Sequence, residues 1–90
     1  MIDRKIKKRA VHRAKILEGQ MKGLVKAIEK EKYCVDLLLQ SLSIRKSLQS
    51  LNQLLLENHV KVHLKHQLRK KSGEEKAVKE LIRIFSLSNK

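Results

Sequence analysis

The chain has 90 residues, one cysteine, no proline and a formal net charge of +13 at neutral pH. Its length allows one small domain, residues 1–90, and its basic excess points to a polyanionic partner, with nucleic acid favoured over a membrane surface. No apolar run is long enough to span a bilayer. Because the first residues lack the apolar core of a signal peptide and one cysteine forms no intramolecular disulfide, we expect a cytoplasmic protein.

Residues 4–30 are predicted to form an amphipathic helix with Asp3 as its N-cap. Its apolar side chains recur at steps of three and four residues: Ile6, Ala10, Ala14, Leu17, Met21, Leu24 and Ile28. The opposite face and its flanks are basic: Arg4, Lys5, Lys8, Arg9, His12, Arg13, Lys15, Lys22 and Lys26. Solvated helix faces usually mix both signs of charge, so we interpret this face as a binding surface for DNA phosphates rather than a merely solvated one.

Two further helices are predicted. No helix breaker stands between residues 29 and 33, but one helix over residues 4–70 is too long for a globular domain, so we expect a break near residues 30–33. A long central helix, 34–67, then buries Leu37, Ile44, Leu48, Leu51 and Leu55. Ser72 and Glu75 form a capping box that begins a third helix. The buried face of that helix is Ala77, Val78, Leu81, Ile84 and Phe85. The predicted fold class is all-α, a three-helix protomer with a long central helix.

The central helix carries the cysteine and three of the four histidines. His59 and His63 are four residues apart and project from one face. Cys34 precedes His59 by 25 positions, which returns to within roughly 20° of that face but separates the two residues by roughly 37 Å. One helix cannot bring the thiol to its own imidazoles, whereas two helices packed antiparallel about a two-fold axis near Lys46 and Ser47 can. We therefore predict an isologous dimer with two Cys/His/His sites, each shared between subunits.

This set of side chains predicts a metal site. A thiolate and two imidazoles suit Cu(I) or Zn(II). Three ligands complete a trigonal Cu(I) site, whereas tetrahedral Zn(II) needs a fourth ligand, from water or from His66. The alternative is that the histidine pair is incidental and Cys34 is a small buried apolar residue. No GxSxG, P-loop or HExxH motif occurs, so we predict that the chain is not an enzyme.

Four stretches, in order along nearly the whole chain, form a recognisable pattern. They are RAKILEGQMKGL (13–24), KYCVDLLLQ (32–40), LLENHVKVH (55–63) and SGEEKAVKELI (72–82). Together they resemble the copper-sensitive operon repressor family, the CsoR/RcnR group of bacterial metal-sensing transcriptional repressors. The resemblance implies an all-α protomer, an antiparallel dimer and a homotetramer built as a dimer of dimers. It also implies that the apo-protein binds double-stranded operator DNA and that the inducer releases it.

The resemblance also implies roles for individual residues. Cys34, His59 and His63 match the family's metal ligands. Tyr33 and Glu80 match positions that contact the imidazole ligand, where such partners orient the ring. Arg13 and Arg45 match basic positions of the family. With the basic face of the first helix, the predicted DNA contacts are Lys8, Arg9, Arg13, Lys15 and Arg45.

Departures from the family pattern narrow the choice of inducer. The nickel/cobalt branch has a histidine and the formaldehyde-sensing branch a proline at the position of Ile2, and persulfide sensors need two cysteines. We therefore expect Cu(I) as the inducer. The alternatives are a Zn(II), Ni(II) or Co(II) sensor, a thiol-based aldehyde sensor acting through Cys34, and a metal-independent helical DNA-binding protein. The family often has a basic residue where this chain has Ile16, which alters part of the usual DNA face.

Overall fold

The structure, a computed structural model, describes residues 2–70 and 73–88. These residues form α1 (Arg4–Glu29), α2 (Cys34–Asn58), a π-helical segment (His59–Leu64), α3 (Lys65–Leu68) and α4 (Gly73–Ser88). The joins at Asn58 and Lys65 keep right-handed helical backbone angles, so α2, the π-helical segment and α3 form one central rod over residues 34–68. Helices are the only regular secondary structure among the described residues, which confirms the all-α class and the long central helix. None of its helices is both long and apolar enough to cross a bilayer.

Asp3 begins α1 as predicted. Its carboxylate accepts hydrogen bonds from the backbone N–H groups of Lys5 (2.9 Å) and Ile6 (3.3 Å), two of the donors that a helix start leaves without a partner. The predicted apolar stripe is only partly correct, because Ala14, Met21 and Ile28 are exposed. The covered residues of α1 are instead Ile6, Ala10, Arg13, Leu17, Gln20, Gly23, Leu24 and Ala27. With Gly23 and Leu24 counted as one position, these residues follow alternating steps of four and three, a repeat of about 3.5 residues, which is the period of helices that coil around each other.

α1 packs antiparallel on α2, and cross-helix contacts define the register. The Asp3 N–H donates to Asn58 Oδ1 at 2.8 Å at one end. In the middle, Arg13 Nη1 donates to the Ser50 carbonyl at 3.1 Å and also contacts the Ser50 hydroxyl. Towards the other end Gly23 faces Gln40, whose Nε2 would lie 3.5 Å from a Cβ at position 23. α1 therefore covers one face of α2 along its whole length.

The predicted break is a tight turn between α1 and α2. The Glu31 N–H donates to the Ile28 carbonyl (2.9 Å) and the Lys32 N–H to the Ala27 carbonyl (3.1 Å), which is the Schellman pattern of a helix C-terminus. Glu31 occupies the left-handed position of this motif, with φ of 52°. Glycine usually fills that position because an L side chain is strained there. Because Glu31 occupies the position where glycine is usual, this tight turn is hard to recognise from the sequence.

Replacing Glu31 with glycine is expected to stabilise the protein by about 0.5–1 kcal/mol. Left-handed backbone costs an L residue roughly 1–2 kcal/mol, and the greater freedom of glycine in the unfolded chain offsets part of that gain. Urea denaturation at fixed protomer concentration measures the change. Glu31→Ala is the matched control, since it removes the charge but retains the Cβ, and we expect no gain from it. Equal stability of the glycine and alanine variants would contradict the assignment of strain.

Many apolar side chains that we expected in the core are exposed in the single chain. Of the predicted α4 face, Ala77 is buried, whereas Phe85 is 69% exposed and Val78 and Ile84 are also exposed. On α2, Leu48 and Leu55 are exposed too. The reason is the shape of the protomer, which measures 56 × 29 × 14 Å and is about one helix layer thick. One layer covers only one face of each helix. The predicted capping residue Ser72 lies outside the described residues.

Candidate metal site

The thiol and the imidazoles lie at opposite ends of α2. Cys34 is the first residue of this helix and is exposed with a free thiol, whereas His59 follows its last residue. The unbroken helix confirms the geometric premise that roughly 37 Å of helix separates them. Within residues 2–70 and 73–88 no group of three or more His, Cys, Asp and Glu side chains could hold a metal ion. Assembly of a Cys/His/His site across two subunits remains a prediction.

Two histidines share the π-helical segment. The rings of His59 and His63 are stacked with centroids 5.8 Å apart and an interplanar angle of 25°. A π turn inside an α-helix is rare and often occurs at a functional site. The predicted pairing of these imidazoles on one face is therefore confirmed within the chain. His66, the possible fourth ligand, lies exposed on α3.

Glu80 of α4 faces His59. The distance between His59 Nε2 and Glu80 Oε2 is 3.8 Å, and His59 Nε2 is buried without a hydrogen-bond partner. A metal-bound histidine commonly donates its second ring N–H to a carboxylate, which sets the orientation of the ring. An imidazole with Nε2 directed at Glu80 has Nδ1 as its other nitrogen for a metal. The His59 imidazole is therefore a suitable ligand for Cu(I), the inducer that the sequence predicts.

Gln67 is a residue of this site that the sequence did not reveal. Its Nε2 donates to Glu80 Oε2 at 3.1 Å, so Gln67 holds the same carboxylate oxygen that faces His59. The available signal was spacing, because residues 59, 63 and 67 follow one another at steps of four. α4 approaches Gln67 closely because Gly73 has no side chain. A Cβ at Gly73 would lie 1.7 Å from the Gln67 carbonyl oxygen.

Tyr33 lies at the other end of α2 from His59. It directly precedes Cys34 and is 70% exposed. The contact with an imidazole that the resemblance implies is therefore not formed within one chain, and like the shared Cys34 site it stays a prediction for an assembly of two chains. Glu80 and Tyr33, predicted to share one role, thus occupy different places in the protomer.

The predicted DNA contacts divide into two groups. Lys8, Arg9 and Lys15 are exposed on α1, and Arg45 is exposed on α2. Arg13 is half-buried, and its bonds to Ser50 hold α1 against α2. Among the five predicted contacts, Arg13 therefore has a structural role as well. Ile16 is also exposed on α1.

Comparison with known proteins assigns the family. The family model described as a metal-sensitive transcriptional repressor matches residues 6–86. The chain is 31% identical over 81 residues to the copper-sensing transcriptional repressor CsoR of Bacillus subtilis strain 168, covering 90% of this chain and 79% of that protein. It is 35% identical over 54 residues to CsoR of Mycobacterium tuberculosis H37Rv, covering 60% of this chain and 45% of that protein. The chain thus spans about half the length of that mycobacterial relative.

The fold is similar to that of a solved relative, a crystal structure of the copper-sensing repressor CsoR with Cu(I) from Geobacillus thermodenitrificans NG80-2. The two share a TM-score of 0.85 and 30% sequence identity over 98% of this chain and 91% of that chain. The family consists of transcriptional regulators and not of enzymes, which confirms that part of the sequence interpretation. With the matched range extending from α1 to α4, the chain belongs to the metal-sensitive transcriptional repressor family.

Proposed function

We propose that this protein is a Cu(I)-responsive repressor that binds operator DNA as apo-protein and is released when Cu(I) binds. The site consists of Cys34 from one protomer with His59 and His63 of the partner subunit. The observation that carries the proposal is the stacked histidine pair with His59 Nε2 turned towards Glu80, at the far end of the helix that begins with the thiol. The copper-sensing names of the relatives and the Cu(I)-containing structure support the same inducer.

The donor set favours Cu(I) over the other candidate metals. A soft thiolate and two imidazoles satisfy Cu(I) at low coordination number. Zn(II) needs a fourth ligand, for which His66 or water is available. Ni(II) and Co(II) sensors of the family have another ligand where this chain has Ile2, whose side chain offers no donor atom.

Each residue near the site has a separate task. Bound Cu(I) supplies a positive charge and a bond between the two subunits. Glu80 Oε2 faces His59 Nε2 at 3.8 Å, which leaves Nδ1 as the nitrogen that would bind the metal, while Gln67 holds the Glu80 carboxylate in place. Because Glu80 belongs to α4, the orientation of His59 and the position of α4 depend on each other.

The basic face supplies the DNA-binding part of the proposal. Lys8, Arg9, Lys15 and Arg45 are exposed, and their charges suit the phosphates of double-stranded DNA. The proposed protein is cytoplasmic and forms a homotetramer, a dimer of antiparallel dimers. This assembly would cover the apolar side chains that one chain leaves exposed.

Metal binding and DNA binding are linked by reciprocity. A metal that lowers the affinity of the protein for DNA must itself bind the DNA-bound protein less tightly, by the same factor.

Release of the operator by individual metals tests this function. An operator fragment is first selected with the apo-protein from a pool of random duplexes. Fluorescence anisotropy then follows release of this fragment during titration with Cu(I), Zn(II), Ni(II) and Co(II), each at controlled free concentration. We expect Cu(I) to release the wild-type protein. Cys34→Ala is the matched control and should bind the same fragment but stay bound when Cu(I) is added.

The alternatives predict different results in this titration. Release by Ni(II) or Co(II) but not by Cu(I) would contradict the copper assignment. Release by an aldehyde, abolished in Cys34→Ala but kept in His63→Ala, would indicate the thiol-based sensor. DNA binding that no metal or aldehyde alters would indicate the metal-independent DNA-binding protein.

A further inference from the structure

A buried asparagine lies at the boundary between α2 and the π-helical segment. Asn58 is the last residue of α2, directly before His59, and is only 5% exposed. Its Oδ1 accepts a hydrogen bond from the Asp3 N–H at 2.8 Å, across 55 residues of sequence. Buried polar groups are costly to leave without a partner, so this bond constrains both residues.

The other partner of this bond is the residue on which α1 begins. The Asp3 carboxylate caps the N–H groups of Lys5 and Ile6, and the Asp3 carbonyl accepts from the Lys7 N–H at 2.8 Å. The first turn of α1 is thus built on Asp3. Asn58 therefore holds the start of α1 rather than a side chain on its surface.

Close packing surrounds the bond. Ile6 of α1 and Leu54 of α2 lie one turn from its two ends and are each 3% exposed, among the most buried side chains of the described residues. Tightly packed helices transmit small displacements because they have little room to deform. A shift of Asn58 is consequently passed to the start of α1 and not absorbed by loose packing.

Two functional regions meet at this bond. On one side is His59, a proposed ligand, which begins the π-helical segment. On the other side, Lys8 and Arg9 of the proposed DNA face lie in the second turn of α1. The π turn departs locally from α-helical hydrogen bonding. A displacement of His59 on metal binding would also move Asn58, because the two residues are adjacent in the backbone.

We propose that the hydrogen bond between Asn58 and Asp3 couples the metal state of His59 to the position of the DNA-binding face of α1. Asn58 is then a positioning residue, because it touches neither the metal nor the DNA. The inference rests on the proposed function and deepens it, since it names a connection through which metal binding changes operator affinity.

The backbone of Asp3 allows a matched pair of variants. Its φ of −57° lies in the range that proline adopts. Asp3→Pro and Asp3→Ala both lose the capping carboxylate, but only Asp3→Pro also loses the N–H that donates to Asn58. The difference between these two variants therefore isolates the hydrogen bond from the helix cap.

The measured quantity is the ratio of operator affinities without and with Cu(I). We expect this ratio to fall by roughly three- to tenfold in Asp3→Pro relative to Asp3→Ala, the range set by one buried hydrogen bond. The Cu(I) affinity of the DNA-free protein and the helix content should agree between the two variants, whereas the thermal midpoint should be lower in Asp3→Pro, which loses the hydrogen bond to the buried Asn58. In an Asn58→Leu background, which lacks the acceptor, the two Asp3 variants should give equal ratios.

The outcomes separate the inference from the proposed function. Equal ratios in Asp3→Pro and Asp3→Ala, with the wild-type protein released by Cu(I), would overturn the inference alone. A wild-type protein that Cu(I) does not release would overturn the proposed function and the inference with it. If Asp3→Pro fails to fold, Asn58→Leu is compared with Asn58→Asp, which keeps an oxygen acceptor. Retained coupling in both of these variants would equally overturn the inference.

Discussion

Mixed dimers of Cys34→Ala and His59→Ala subunits are expected to bind one Cu(I), although neither variant binds it as a homodimer. The reason is the roughly 37 Å of continuous helix between the two residues, which prevents a site within one chain. In the mixed dimer, one site combines the intact thiol of one subunit with the intact imidazoles of the other. The second site combines both substitutions and stays empty.

Subunits with different affinity tags allow the mixed dimer to be isolated and titrated against a Cu(I) chelator. Loss of a ligand in each homodimer should weaken binding by more than the roughly 10–100-fold that follows loss of a residue supporting a ligand. Mixed dimers of His59→Ala and His63→Ala are the matched control. If each site takes both of its histidines from one subunit, each of the two sites in this hybrid lacks one histidine. Binding by this control at the same stoichiometry, or none by the Cys34/His59 hybrid, would exclude the shared site.

Replacing Lys8, Arg9 and Lys15 together with alanine is expected to weaken operator binding and to flatten its salt dependence. Each phosphate contact contributes about −0.9 to the slope of log K against log salt, so three lost contacts change it by about 2.7 for each chain on the DNA. Anisotropy titrations at several salt concentrations measure the slope. Cu(I) affinity of the DNA-free protein should be unchanged, because none of these side chains belongs to the proposed metal site.

A control must remove the same charge from another surface. Lys61, Lys76 and Lys79 are exposed outside α1, and replacing them with alanine lowers the net charge equally. If this control flattens the slope as much as the α1 variant does, the DNA face lies elsewhere or is non-specific. Arg13 is left intact in both variants. Replacing it would remove its bonds to Ser50, so a loss of helix packing could not be separated from a loss of DNA contact.

Local features of the chain were readable from its sequence. The periodicity of apolar residues predicted long helices, Asp3 was recognised as an N-cap, and the unlikely length of a single helix located the turn at residues 30–33. The distance between Cys34 and His59 followed from the rise of an α-helix alone. These features depend on interactions between residues a few positions apart, whose energies are set by local spacing.

Only the tertiary structure decided which surfaces meet. The repeat of about 3.5 residues in the α1 stripe, and the bonds from Asp3 to Asn58 and from Gln67 to Glu80, depend on how separate helices lie against each other. Their partners are distant in sequence, and no local pattern specifies the register between two helices. Burial of the remaining apolar side chains was predicted from hydrophobicity but is not achieved in one layer of helices, because a helix in such a layer is covered on one face only.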